Sequence, residues 1–278
     1  MKRITLVFLI TVIFNTFSYS QGKIKEAEDS LNDSKSNNSS SYKSTNYTDS
    51  YNDSESSFLE DVFAEFFIKI FAYTAYGIAF ESPFETDNKA SSAFLTKHPY
   101  NNSNTGNYIY AWNEDTEIFT TTLTNQFIFE TNRLYGNHIN ADMRFLKRWG
   151  LELDYLQLWE ENLNFGNNAL AIYTALAKYN RVRTERFNAY WALGAAYVDG
   201  EVDRLGFAYG LGAEYFFVKP FSIEANFNQT LINNNSINNF NALLNLHRKQ
   251  YKFSAGFEHL KIGSVGFSNV SLGVGVSL

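Results

Sequence analysis

The chain has no cysteine, three prolines, two methionines and four histidines among its 278 residues. Without cysteine there can be no disulfide, no thiolate metal site and no lipid-bearing N-terminal Cys. The histidines (His98, His138, His247 and His259) do not fall at metal-binding helical spacing, so no metal and no cofactor is implied. Mean hydropathy is -0.29, and the longest apolar run, near the N-terminus, is short for a spanning helix. A helical membrane protein is therefore excluded. Positive charge is also in short supply, with 23 basic residues against 29 acidic and a net charge of -6. That balance argues against nucleic acid as a partner, which calls for a basic footprint.

Residues 1–20 have the layout of a secretory signal peptide. Lys2 and Arg3 precede the apolar run Ile4 to Phe14, and Ser18-Tyr19-Ser20 offers small residues at the cleavage positions. Cleavage there would remove two of the 23 basic residues and leave 21 against 29 acidic ones. Residues 21–57 are rich in Ser, Asn, Asp and Lys and have little to bury, so the expectation is a disordered linker. Over 58–80 an amphipathic helix is expected. Ser57 and Glu60 fit a capping box, and Leu59, Val62, Phe63, Phe66, Phe67, Ile70 and Phe71 recur at helical spacing. Residues 81–116 hold Pro83, Pro99 and the turn-forming run Asn101 to Gly106, and read as an irregular connection with one short strand over 108–112.

Aromatic residues make up 17% of the chain. Between 117 and 278 they sit on a pattern of period two, the period at which strand side chains change face. Ile139, Ala141, Met143 and Phe145 fall on one side; His138, Asn140, Asp142 and Arg144 fall on the other. Ten segments are expected as strands: 117–130, 137–147, 150–160, 168–180, 186–198, 204–218, 220–232, 238–248, 250–260 and 267–278. Segment 168–180 is apolar on both parities, and its pattern also allows a helix. Tight connections at 148–149, 219–220 and 249–250 take turns with longer ones at 131–136, 161–167, 233–237 and 261–266. Aromatics cluster near the tight connections: Trp149, Tyr179, Phe187, Phe216, Phe221 and Tyr251.

One parity is apolar, with Leu153, Phe207, Ile223 and Val274 among its members. The other carries Asp142, Arg144, Glu152, Asp154, Glu214, Glu224, Lys252 and Glu258, with many small residues between them. Apolar outside and polar inside is the pattern of a barrel that spans a membrane. The eight charged residues then form a charge network inside the lumen, structural in role, since buried charges need partners. His138, His259, Ser264 and Ser268 are the candidate catalytic groups. No nucleophile motif surrounds them, and solvated or lumen-bonded roles fit them better.

The alternating strands and the apolar end of segment 269–278 resemble the small outer-membrane β-barrel proteins of Gram-negative bacteria. The resemblance covers about 160 residues, and Leu278 stands where that family prefers Phe. It implies an all-β, antiparallel up-and-down transmembrane β-barrel of about ten strands, with eight or twelve as alternatives, preceded by an amphipathic helix. It also implies outer-membrane lipid as surroundings and barrel-insertion machinery that reads strand 269–278. The N-terminal linker and the C-terminus would both be periplasmic. The expected role is structural, adhesive or that of a narrow channel, without catalysis. The alternatives are a barrel enzyme acting on lipid or peptides and a secreted soluble binding barrel.

Overall fold

The computed structural model describes residues 22–32, 92–131, 133–162, 166–232 and 235–278. The expected signal 1–20, the helix 58–80 and most of the linker lie outside these residues. A helix, α1 (Lys23–Asn32), comes first. Three short strands follow: β1 (Phe94–Thr96), β2 (Tyr108–Ile109) and β3 (Thr116–Glu117). Ten long strands come next: β4 (Phe119–Thr131), β5 (Leu134–Phe145), β6 (Trp149–Asn162), β7 (Gly166–Arg183), β8 (Phe187–Asp199), β9 (Arg204–Val218), β10 (Phe221–Ile232), β11 (Asn235–Arg248), β12 (Tyr251–Ile262) and β13 (Val265–Ser277).

Each long strand pairs antiparallel with the next, and β13 closes on β4 through pairs running from Val270↔Phe129 to Ser277↔Thr122. The result is the ten-strand up-and-down barrel expected from the alternation. Closure leaves no sheet edge with unpaired backbone groups. Segment 168–180 is strand throughout, inside β7. Its apolar inward residues Leu170, Ile172 and Leu176 are buried against other apolar groups, which is why both its parities are apolar.

Three expectations need correction. First, the connections do not alternate in length. All nine span two to four residues, because the strands continue through segments whose Asn and Glu content resembles loop. Asn235 and Ser236, for example, ladder with Ile232 and Leu231. Second, the linker 21–57 is not uniformly disordered. Ile24, Ala27, Glu28 and Leu31 lie on one face of α1 and are buried. Third, the connection 81–116 is not wholly irregular, since β2-β1-β3 form a small antiparallel sheet around buried Ala93, Leu95 and Tyr108.

The two additions close opposite mouths. α1 packs beside β7, β11, β12 and β13, and Asn235 Nδ2 donates to its Ser30 carbonyl. Carboxylate oxygens of Glu160, at the end of β6, accept from the first free amides of α1, Lys23 N at 2.9 Å and Ile24 N at 3.0 Å. The small sheet lies at the other mouth, where Gly106 N donates to Glu185 O and the Tyr100 hydroxyl donates to Phe221 O. Leu278 is at this second mouth, bonded to Thr121. The described part of the linker and the chain end therefore do not share a side, contrary to the expectation of two periplasmic ends.

Candidate functional site

The lumen has two layers, visible along β6 alone. Inward-facing Glu152 and Asp154 are followed by Leu156 and Leu158, and then by Glu160 at the α1 cap. Near α1 the interior is apolar and filled. Ile24, Ala27 and Leu31 join Ile128, Leu158, Ile172, Ile232, Leu260, Phe267 and others in one buried cluster. Toward the small sheet it is polar and encloses a cavity of about 70 Å³. That volume admits a handful of waters and no sugar.

All eight charges expected in the lumen point inward, and they fall into three groups. In the first, Lys178 Nζ lies 2.9 Å from Asp142 Oδ1 and 2.9 Å from Glu152 Oε2, while Arg144 Nη2 approaches Asp142 Oδ2 at 2.9 Å. The ring of Tyr190 covers the ammonium at 3.8 Å. In the second, His138 bridges Asp154 (2.7 Å) and Glu258 (3.1 Å), using one ring nitrogen for each. Asn140 donates to the same Asp154 oxygen as His138, and Asn239 donates to the second oxygen of Glu258. In the third, Glu224 accepts from Lys252 at 3.4 Å, Asn245 at 2.9 Å and Asn226 at 2.9 Å, and Glu214 accepts from Ser222 at 2.8 Å and Asn107 at 3.0 Å.

Sequence reasoning missed Lys178, Tyr190 and His247 as members of this network. Lys178 was hidden in the segment apolar on both parities. Its even number, shared with Glu152 and Asp154, was the available signal.

Ser222, His247 and Glu214 lie close together, yet they run in the wrong sense for nucleophilic catalysis. The buried Ser222 hydroxyl has one proton and gives it to Glu214. His247 Nε2, 2.8 Å from Ser222 Oγ, is then the donor to that oxygen. A catalytic relay needs the hydroxyl to donate to the imidazole and the acid to hold the other ring nitrogen. The groups weighed from sequence do not converge either. His138 is inside the lumen, whereas His259 is across the barrel wall, 3.1 Å from Ser268. Among the described residues no group of three or more His, Asp or Glu is placed to hold a metal ion.

The outer surface is the second candidate. Leu272, Phe207 and Phe127 are more than half exposed, and Val274, Ile223, Leu244 and Phe253 nearly so. Two aromatic belts bound this apolar band. At the small-sheet end, Trp149, Tyr179 and Trp191 stand side by side on neighbouring strands, with ring centroids 5.3 and 5.6 Å apart. At the α1 end, Tyr135 and Trp159 pair at 5.8 Å. Of the aromatics expected in the first belt, Phe216 departs. It shares the parity of the inward-facing Gly212 and Glu214 on β9 and so faces the lumen, where it packs on Tyr100 and His247. Trp149 and Trp159 lie ten residues apart on β6, or ~33 Å along a strand and roughly 25 Å along the axis of a barrel with the usual tilt. Outward positions between the belts, such as Leu151, Leu153 and Tyr155, carry no charge among the described residues.

No protein-family model and no curated protein matches the chain. Three solved structures illustrate what it is similar to. The KdgM porin aligns with a TM-score of 0.37 at 10% identity, covering 56% of this chain and 99% of that one. An outer membrane channel from Pseudomonas putida F1 aligns at 0.36 and 9%, covering 58% and 95%. The outer membrane protein Ail of Yersinia pestis aligns at 0.33 and 14%, covering 57% and 99%. At that level of likeness nothing about ligand or role transfers to this chain.

Proposed function

We propose that this protein is an integral outer-membrane β-barrel with a shut lumen, acting as a structural anchor in the bilayer and not as a diffusion pore or an enzyme. One observation carries the reading: the uncharged outer band, roughly 25 Å tall and framed by aromatic belts, has the height of a bilayer's hydrocarbon region as barrels meet it. A soluble barrel would leave all that apolar surface in water, an area well beyond what monomers tolerate. The signal-like residues 1–20 support export. The alternating strand 269–278, which ends at the exposed Leu278, supports handling by barrel-insertion machinery. On this reading the mouth with the chain end faces the periplasm and α1 sits in the outer mouth.

The anchor role is favoured over a channel because, among the described residues, α1 and the apolar layer around Leu156 and Leu158 fill the lumen at that end. It is favoured over adhesion through barrel loops because every connection between barrel strands is short. Two measurements test it. Folded protein from membrane fractions should shift in gel mobility on boiling, and liposomes carrying it should not swell in isotonic sugar. A soluble chain without a heat shift would refute the membrane assignment, and rapid sugar uptake would refute the shut lumen.

A further inference from the structure

The two rims of the barrel carry opposite charge. At the small-sheet mouth the four hairpins 145–149, 183–187, 218–221 and 248–251 bear six accessible cations: Lys147, Arg148, Arg186, Lys219, Arg248 and Lys249. The only acid on these hairpins is Glu185. On the strand ends and hairpins of the α1 mouth, accessible acids outnumber bases five to three, Glu130, Glu161, Asp199, Glu201 and Asp203 against Arg133, Arg204 and Lys261, and α1 itself adds Lys23 and Lys25 with Glu26 and Asp29. The cations occupy four of the five sectors of their rim; the fifth holds the chain end at Leu278. The small sheet over the centre adds Lys97 with Glu114, Asp115 and Glu117, of which Asp115 is engaged by Asn101 and Asn102.

The basic rim adjoins the belt of Trp149, Tyr179 and Trp191. Arg148 Nη1 donates to the Tyr179 hydroxyl at 2.9 Å, and Lys147 Nζ lies over the Phe94 ring at 3.7 Å. Cations just beyond an interfacial aromatic belt stand at the depth of lipid phosphates. Each Lys or Arg near an anionic surface favours association, so several acting together select one class of headgroup.

We propose that this rim is a binding surface for the phosphate headgroups of anionic phospholipid, such as phosphatidylglycerol, while the α1 rim has no such preference. The inference rests on the membrane-spanning reading given above. It also gives the barrel a polarity with respect to the two leaflets: the mouth with the chain end belongs in the leaflet richer in anionic phospholipid.

Quenching of tryptophan fluorescence by brominated lipids tests it on the full mature chain. Trp112→Phe with Trp159→Phe leaves the emitters of the basic rim, Trp149 and Trp191. Trp112→Phe with Trp149→Phe and Trp191→Phe leaves Trp159 at the other rim. In phosphatidylcholine bilayers, brominated phosphatidylglycerol should associate at least about threefold more strongly than brominated phosphatidylcholine at the basic rim and equally at Trp159. The preference should fall to near unity in 1 M NaCl, and also when K147Q, R186Q, R248Q and K249Q are combined, with the heat shift confirming that this variant folds. Equal quenching by both lipids at both rims overturns the proposal, as does a preference that survives the fourfold variant. No quenching by either lipid refutes the membrane reading itself, which keeps the two failures apart.

Discussion

Lys178 and Asp142 meet inside the lumen at 2.9 Å, although β6 lies between their strands and 36 residues separate them in sequence. The same ammonium reaches Glu152 on the intervening strand, so one cation holds three strands in register. Removing it would leave two buried carboxylates facing each other. Lys178→Met should therefore destabilise the barrel by ~3–5 kcal/mol in reversible denaturant unfolding. Adding Glu152→Gln should return part of that loss, because the uncompensated charge is what costs. A Lys178→Met protein as stable as the parent would show that the cluster contributes nothing.

His138 lies between Asp154 and Glu258 and is itself buried. His138→Ala removes both hydrogen bonds and opens a gap between two acids. A loss of about 3 kcal/mol or more is expected, in contrast to His259→Ala on the outer face, which should cost under about 1 kcal/mol. Denaturant midpoints of the two variants, measured side by side, check the contrast.

Gly212 on β9 makes room for its neighbours. A Cβ there would meet the Tyr190 ring at 2.6 Å and also the side chain of Asn226. Gly212→Val should displace Tyr190 from Lys178 and cost ~1–3 kcal/mol as an overpacked core. Tyrosine fluorescence and the unfolding midpoint would move together if Tyr190 is the group displaced.

Leu153 faces outward near the middle of the apolar band. In a bilayer, Leu153→Arg should cost ~2–4 kcal/mol. A soluble barrel would accept the same change at nearly no cost. Folding titrations into phospholipid vesicles measure the difference directly.

Glu28 of α1 makes the docking of this helix depend on pH. Burial against the barrel end raises its pKa above the usual 4.5; the Glu201 amide, which donates at 2.8 Å, opposes the shift, as does Lys25, while Glu201 and Asp29 add to it through their charges. The docked state thus holds the Glu28 proton to a higher pH than the undocked state does. Its contribution to docking is fully present below 4.5 and is lost as pH rises from there through the raised value. Hydrogen exchange of the α1 amides should quicken across that window beyond the intrinsic effect of pH, and Glu28→Gln should flatten the change. An unaltered profile in the Gln variant would remove Glu28 from the account.

Most of the barrel could be read from residue order, and the misreadings have local causes. Period-two alternation set the ten strands to within three residues at each end, and even numbering placed Asp142, Arg144, Glu152 and Asp154 inside. The connections looked longer than they are because Asn233 to Ser236 and Glu160 to Asn162 are polar at consecutive positions near a rim, where the alternation stops signalling strand. The linker looked unstructured because three apolar residues, Ile24, Ala27 and Leu31, sit among charges. Their spacing of three and four was the one available sign of α1, and its significance depends on a complementary apolar surface that no local window contains.

The sequence alone determined the strand segments and the sign of each face, because side-chain direction in a strand follows from position along the chain; closure fixed the number at ten, which the sequence had left open to eight or twelve. The tertiary structure alone decided which charges pair, that the lumen is half apolar and shut by α1, and that the two rims differ in charge. Each of these depends on groups brought together around a ring, at separations set by which strands are neighbours and not by distance along the chain.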